Sequence, residues 1–214
     1  TDGEDRNFKL ENVAIKDAVS TSDGAAINLK GENSTATVTN VAFESNSSTN
    51  GGAVSNNAGT ANITGSDFKS NTATANGGAI NNVNGAQTTV TTSTFESNES
   101  GANGGAIYNE AADIVIKDSS FTGNSAQNGG AIYNNGTLNL ENVVFAGNTT
   151  NLSPSSQCYG GALYNSGTTT ITNGVFTANH AKYQGGAIYN SSGTSNLINT
   201  QIVNNLTDPS DSYG

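Results

Sequence analysis

The sequence predicts an all-β solenoid, a right-handed parallel β-helix of seven to eight coils with a period of about 26 residues. Three observations carry that reading. The first is Gly-Gly-Ala followed by an aliphatic residue, present six times: Gly51-Gly52-Ala53-Val54, Gly77-Gly78-Ala79-Ile80, Gly104-Gly105-Ala106-Ile107, Gly129-Gly130-Ala131-Ile132, Gly160-Gly161-Ala162-Leu163 and Gly185-Gly186-Ala187-Ile188. Their starts lie 26, 27, 25, 31 and 25 residues apart. The second is Phe-x-x-Asn, at Phe43/Asn46, Phe68/Asn71, Phe95/Asn98, Phe121/Asn124, Phe145/Asn148 and Phe176/Asn179. It stands 8 or 9 residues before each glycine pair, and once 15. The third is an aliphatic residue five positions before every one of those phenylalanines: Val38, Ile63, Val90, Ile116, Leu140 and Ile171.

Taken in order, the first coil is degenerate, with Leu10, Ile15 and Gly24-Ala25-Ala26-Ile27 in the three slots. The last offers Leu197 and Ile202. Within each coil three short β-like pieces are expected, around the aliphatic, the Phe and the Gly-Gly-Ala. A turn-forming column stands three residues before the Phe slot: Asn12, Asn40, Gly65, Thr92, Asp118, Asn142, Asn173 and Asn199. A further Asn follows each Gly-Gly-Ala unit, at Asn56, Asn82, Asn109, Asn134, Asn165 and Asn190. Aliphatics and phenylalanines should then fill interior columns, asparagines should form amide ladders, and glycines should permit positive φ and close approach of coils. No Leu or Ala stripe at helical spacing appears, and the several leucines per repeat of a leucine-rich repeat are missing. Stacked at ~4.8 Å, the coils would make a rod on the order of 35–40 Å long. Residues 1–214 read as one such segment that begins and ends in mid-pattern, as a piece of something longer would. Its one clear insertion covers residues 149–159.

Composition alone points elsewhere. Only 33% of the chain is hydrophobic, Trp and Met are absent, and polar residues dominate, which is near the disordered class. Disorder gives no reason for an aliphatic residue at a fixed distance before every Phe, so the register overrides the composition. Net charge is −10, which disfavours nucleic acid and anionic membranes as partners. The acids gather toward the N-terminus; from Ser119 to Thr207 the only one is Glu141. A single cysteine, Cys158, excludes an internal disulfide framework. No stretch is apolar enough to cross a membrane, and the first thirty residues carry no signal-peptide pattern.

The six alternating pairs of Phe-x-x-Asn and Gly-Gly-Ala-aliphatic, over residues 43–190, resemble the chlamydial polymorphic outer-membrane proteins. The resemblance implies part of an autotransporter passenger: β-helical, exposed on the bacterial surface, and adhesive toward host cells through a protein receptor. Both tetrapeptides are associated with that adhesion in the family. Self-association would also be compatible, and no cofactor or metal is implied. Signal and membrane barrel are not seen in this sequence, and the single cysteine is fewer than such passengers often carry.

Two other functional classes stay in view, a stalk that displays another segment and a carbohydrate-active β-helix enzyme. The enzyme would need clustered carboxylates. Here Glu44 and Glu96 share a column with Lys69 between them, which is charge alternation along a stack. His180 has no nucleophile at a recognisable spacing, so no catalytic residue is assigned. Threonine pairs such as Thr37/Thr39 and Thr89/Thr91 hint at an ice-binding array, but Lys117, Glu141 and Ile198 interrupt it. Two features suit contact with a partner. Tyr108, Tyr133, Tyr164 and Tyr189 follow the aliphatic in four consecutive coils, and strand alternation turns them outward, beside the motif alanines. The insertion, with Ser153, Pro154, Cys158 and Tyr159, should project as a loop. Stacking that merely strengthens the solenoid explains the tyrosine column equally well.

Overall fold

A computed structural model describes residues 7–150 and 158–208, and within them every regular element is a β-strand. All strand pairings are parallel, each strand lying on its counterpart one coil away; Phe95, for example, pairs with Phe68 below and Phe121 above. Eight strands form the sheet that carries the Phe slot, from Ala14–Lys16 to Gln201–Val203. That is seven turns of the solenoid, as the spacing predicts.

The coil has four sides rather than three. The Gly-Gly-Ala strands and the aliphatic strands are joined in one 13-stranded sheet, because Ile107–Lys117 and Ile132–Glu141 run through both positions. The Phe strands make the second sheet. The polar linker after Phe-x-x-Asn, expected to be a connection, supplies a further strand in most coils: Ser47–Asn50, Thr72–Asn76 and Glu99–Ser100, then Thr149–Thr150, His180–Ala181 and Leu206–Thr207. Isolated bridges at Ser125 connect the two groups. Its residues are polar and small, so nothing in their hydrophobic pattern marks a strand; they pair because the coils on either side hold them in register.

The interior follows the predicted columns. All six motif phenylalanines are buried and stack face to face, with centroids 4.6–4.8 Å apart and rings within 14° of parallel. The strand spacing sets this distance, so one Phe per coil produces a continuous column. Each buried contact adds roughly 0.5–1.5 kcal/mol to the burial of the ring itself. Val38, Ile63, Val90, Ile116, Leu140 and Ile171 fill the second column, and the motif aliphatics a third.

Asparagine ladders bind the coils at two buried corners. In the first, Asn124 donates from Nδ2 to Asn148 Oδ1 at 2.9 Å and to Phe95 O at 3.0 Å. Its own Oδ1 accepts from the backbone N and the Nδ2 of Asn98, both at 2.9 Å. Four bonds satisfy the amide completely, and the same pattern links Asn46, Asn71, Asn98, Asn124, Asn148, Asn179 and Asn205. The second ladder runs Asn56, Asn82, Asn109, Asn134, Asn165 and Asn190. A buried amide unpaired here would cost about 1–3 kcal/mol; the second column starts on the buried Leu29 and is asparagine from Asn56 onward.

Every residue of the predicted turn column has φ near +50°, including Thr92 and Asp118. A second left-handed column was not expected. It is the third residue of Phe-x-x-Asn (Ser45, Ser70, Ser97, Gly123, Gly147 and Ala178), which swings the chain so that the next Asn points inward. The paired glycines divide two tasks. Gly129 takes φ +63°, while a Cβ on Gly130 would overlap the carbonyl oxygen of Gly161 and come within 2.7 Å of the Thr149 backbone. The first glycine turns the chain and the second lets adjacent coils touch.

Candidate functional site, a tyrosine cluster on the C-terminal coils

Strand pairing sets Tyr108 opposite Tyr133, Tyr133 opposite Tyr164 and Tyr164 opposite Tyr189. Their rings follow, with centroids at 5.2, 4.7 and 5.4 Å. Two tyrosines outside that column join them. Tyr159, at the end of the insertion, lies 4.5 Å from Tyr189 and edge-on to Tyr164 at 6.5 Å. Tyr183 stands at 89° to Tyr159, 5.4 Å away. Tyr159 takes the place before the glycine pair that Asn128 and Gln184 hold in the adjacent coils, and Tyr183 lies one coil on from Cys158, so neither tyrosine recurs in its column and no repeated residue type marked them.

The expected exposed stripe is corrected by this packing. Tyr108 is only 8% exposed, and Tyr133, Tyr164, Tyr159 and Tyr189 are half-buried, each ring covering its neighbour's face. Only Tyr183, 43% exposed, presents much of its surface. The motif alanines expected beside them, Ala106, Ala131, Ala162 and Ala187, are buried in the interior. The residue after the aliphatic therefore sits in a corner of the coil, not on an open face; Ser55 and Asn81 are buried at the same place in the N-terminal coils. Burial raises the phenol pKa of Tyr108 strongly, with a smaller contribution from its hydrogen bond to Glu110. Tyr133 and Tyr159 are raised for the same first reason, so these phenols stay protonated at physiological pH.

Of the insertion, Ser153 and Pro154 lie outside the described residues. Thr149–Thr150 forms a strand, and Cys158 is fully buried, its thiol pKa raised by burial against the pull of Lys182. The expectation that Cys158 is displayed on a projecting loop is thus overturned: the descending end of the insertion tucks its thiol inward and lays Tyr159 on the tyrosine ladder.

The tetrapeptide residues lie elsewhere. Phe43 to Phe176, Asn46 to Asn179 and the motif glycines are held in coil-to-coil contacts, the phenylalanines and asparagines with no exposed surface to speak of. The acidic columns are surface ion pairs, as the alternation predicts: Lys16 with Glu44, Lys69 with Glu96 at 3.3 Å and Lys117 with Glu141 at 2.7 Å. The Lys16 ammonium holds the Glu44 carboxyl below the ordinary carboxylate range. His180 meets Asp208 at 2.8 Å, a pairing between adjacent coils that the sequence spacing did not suggest. No group of three or more His, Cys, Asp or Glu placed to hold a metal occurs among the described residues, and no helix there is long and apolar enough to cross a membrane.

Neither a curated relative nor a solved structure matches the chain. The family model of the Chlamydia polymorphic membrane protein repeat matches residues 92–110, 118–135, 142–166 and 173–191. Each match opens on a left-handed turn residue (Thr92, Asp118, Asn142 or Asn173) and closes one residue past an asparagine of the second ladder. Each also contains one tyrosine of the column. Residues 92–191 match a run of four Chlamydia polymorphic membrane protein repeats, and it is over these coils that the chain is similar to that family.

Proposed function

We propose that the chain is a segment of a bacterial surface adhesin of the autotransporter type. It is extracellular and non-enzymatic, and it binds a host-cell surface protein. One observation supports the location of the contact: the residues the family motif repeats are sequestered between coils, while the tyrosine cluster reaches the surface at Tyr183 beside the insertion. Tyrosine supplies large, amphipathic contact area and is common among residues that dominate interfaces. The flanking surface carries little charge, so a partner would lose little hydration energy on docking there. Motif changes would then reduce adhesion through the fold rather than by removing a contact.

The burial of every motif phenylalanine and asparagine equally suits a rod that displays another segment, and one experiment separates the two. Binding of the purified chain to cultured host cells is measured beside Tyr183→Ser/Tyr189→Ser, with melting temperature as the control for folding. The proposal expects binding by the parent and a several-fold loss in the variant at similar stability. A well-folded variant that binds as the parent does would move the contact away from the cluster. A parent that does not bind would leave the stalk.

A further inference from the structure

We propose that Tyr133 and Tyr164 form an oxidative coupling site, at which hydrogen peroxide turned over by a haem peroxidase joins two coils through a dityrosine bond. The pairing of Ile132–Glu141 with Leu163–Asn165 sets the two residues directly opposite. Their rings are 4.7 Å apart and 8° from parallel, the most nearly parallel pair of the cluster; Tyr159 and Tyr189 are closer, at 4.5 Å, but tilted by 30°. Both are half-buried, so each ring keeps an open edge on which to turn. Two phenols bonded through the carbons ortho to oxygen keep their ring centres at about the spacing this stack already has. Tyr108, by contrast, is buried, and Tyr164 and Tyr189 are inclined by 39°.

Composition directs oxidation to tyrosine, and six of the seven tyrosines lie in this cluster. The chain has no Trp and no Met, and its one cysteine is fully buried, so the side chains that ordinarily intercept a one-electron oxidant are missing or shielded. Tyr183 presents the most accessible ring of the cluster. From it, contacts through Tyr159 at 5.4 Å and Tyr189 at 4.5 Å lead to Tyr164 at 5.4 Å. A radical formed at the exposed end is thereby passed inward to the parallel pair.

The chemistry balances. Each phenol gives up its O–H hydrogen as one proton and one electron, and peroxide takes up two of each to leave two waters. The two phenoxyl radicals combine through their ortho carbons. The hydrogens on those carbons then return to the oxygens, and the rings are aromatic again. The protein has lost two hydrogens and gained one carbon–carbon bond. Tyr133 and Tyr164 bracket the insertion, so the bond closes the coil that the longest connection would otherwise leave least constrained.

The test treats the whole chain with hydrogen peroxide and a haem peroxidase. Expected is a monomer lighter by two hydrogens, with dityrosine fluorescence and a cross-linked Tyr133–Tyr164 peptide pair after proteolysis. Its fractional yield should not change over a tenfold range of protein concentration. Tyr133→Phe and Tyr164→Phe keep the stacked ring and lose only the hydroxyl; each should abolish the monomeric product while leaving the melting temperature unchanged. Tyr183→Phe should slow the product several-fold without removing it. The proposal is overturned if coupling appears only in dimers, if it persists in Tyr133→Phe, or if it is as fast in urea-unfolded chain as in the native one. None of these outcomes depends on whether the chain binds cells.

Discussion

The coils before Gly101 and those after it share one interior and differ outside. Phe68 and Phe121 occupy the same column with the same ring spacing, and Asn71 and Asn124 make the same bonds. Outside, the early coils carry the Lys16–Glu44 and Lys69–Glu96 ion pairs, whereas the equivalent positions later hold Thr122, Ala146 and Thr177. In the corner after the aliphatic, Asn28, Ser55 and Asn81 give way to four tyrosines. The difference teaches that inward columns are constrained by their neighbours above and below, one strand spacing away. Outward columns have solvent on one side and can change identity midway along the rod without disturbing the stack.

The largest effect expected from breaking this comparison lies in the shared interior. Phe121→Ala removes a ring buried between Phe95 and Phe145 and should cost ~3–5 kcal/mol. Ile202→Ala, in the same column but 47% exposed at the last described coil, should cost about 1 kcal/mol. Denaturant titration of both variants checks the gradient, and equal losses would mean that position along the column does not matter. Asn124→Ala should follow, at ~1–3 kcal/mol for each polar neighbour left without a partner. Asn98, Phe95 O and Asn148 are the groups affected, and binding to cells should fall only in step with stability. If adhesion vanished in a variant as stable as the parent, the motif asparagine would be a contact after all. On the outside, Lys69→Gln should change stability by less than ~1 kcal/mol, since both partners of the pair are half in water. A loss as large as that of Asn124→Ala would contradict the division between inner and outer columns.

How far all this could be read from the residues follows the same division. The phenylalanine column, both asparagine ladders and the left-handed turns were legible, because a parallel stack repeats one residue type wherever side chains meet only their own copies. The fourth strand was not, since Thr72, Glu99 and Thr149 carry no alternation of their own and are ordered by pairing. The second left-handed column runs from Asp17 through Ser, Gly and Ala to Asn204, a mixed set and a weaker signal than a recurring Asn. At the candidate site the ladder tyrosines were visible, but their burial was not. Strict alternation points them outward, yet the chain turns at the left-handed glycine four residues before each one, and the tyrosines sit in the corner that follows. Of the two that complete the cluster, Tyr159 was marked only by its place in the insertion and Tyr183 not at all, since neither residue type recurs at its position in other coils.

The smallest effect should have the opposite sign. On the linker side of the coil, the inward position holds Ser48, Ala73, Ser100, Ala126 and Thr150 in turn. Hydroxyls at this position normally find partners. Ser48 Oγ donates to Asn50 O at 2.9 Å, and Thr150 Oγ1 accepts from Lys182 N at 3.0 Å. Ser100 Oγ is buried with no protein partner, between coils that place Ala73 and Ala126 there. A buried hydroxyl without a bond loses its water and gains nothing, whereas a methyl of nearly the same size loses nothing. Ser100→Ala should therefore be neutral or stabilising by up to ~1 kcal/mol, while Ser48→Ala should destabilise by about as much. The shift in the midpoint of denaturant unfolding measures both. If Ser100→Ala lost stability as Ser48→Ala does, a buried water would have to be bridging the hydroxyl, and the interior at that coil would be polar where its neighbours are dry.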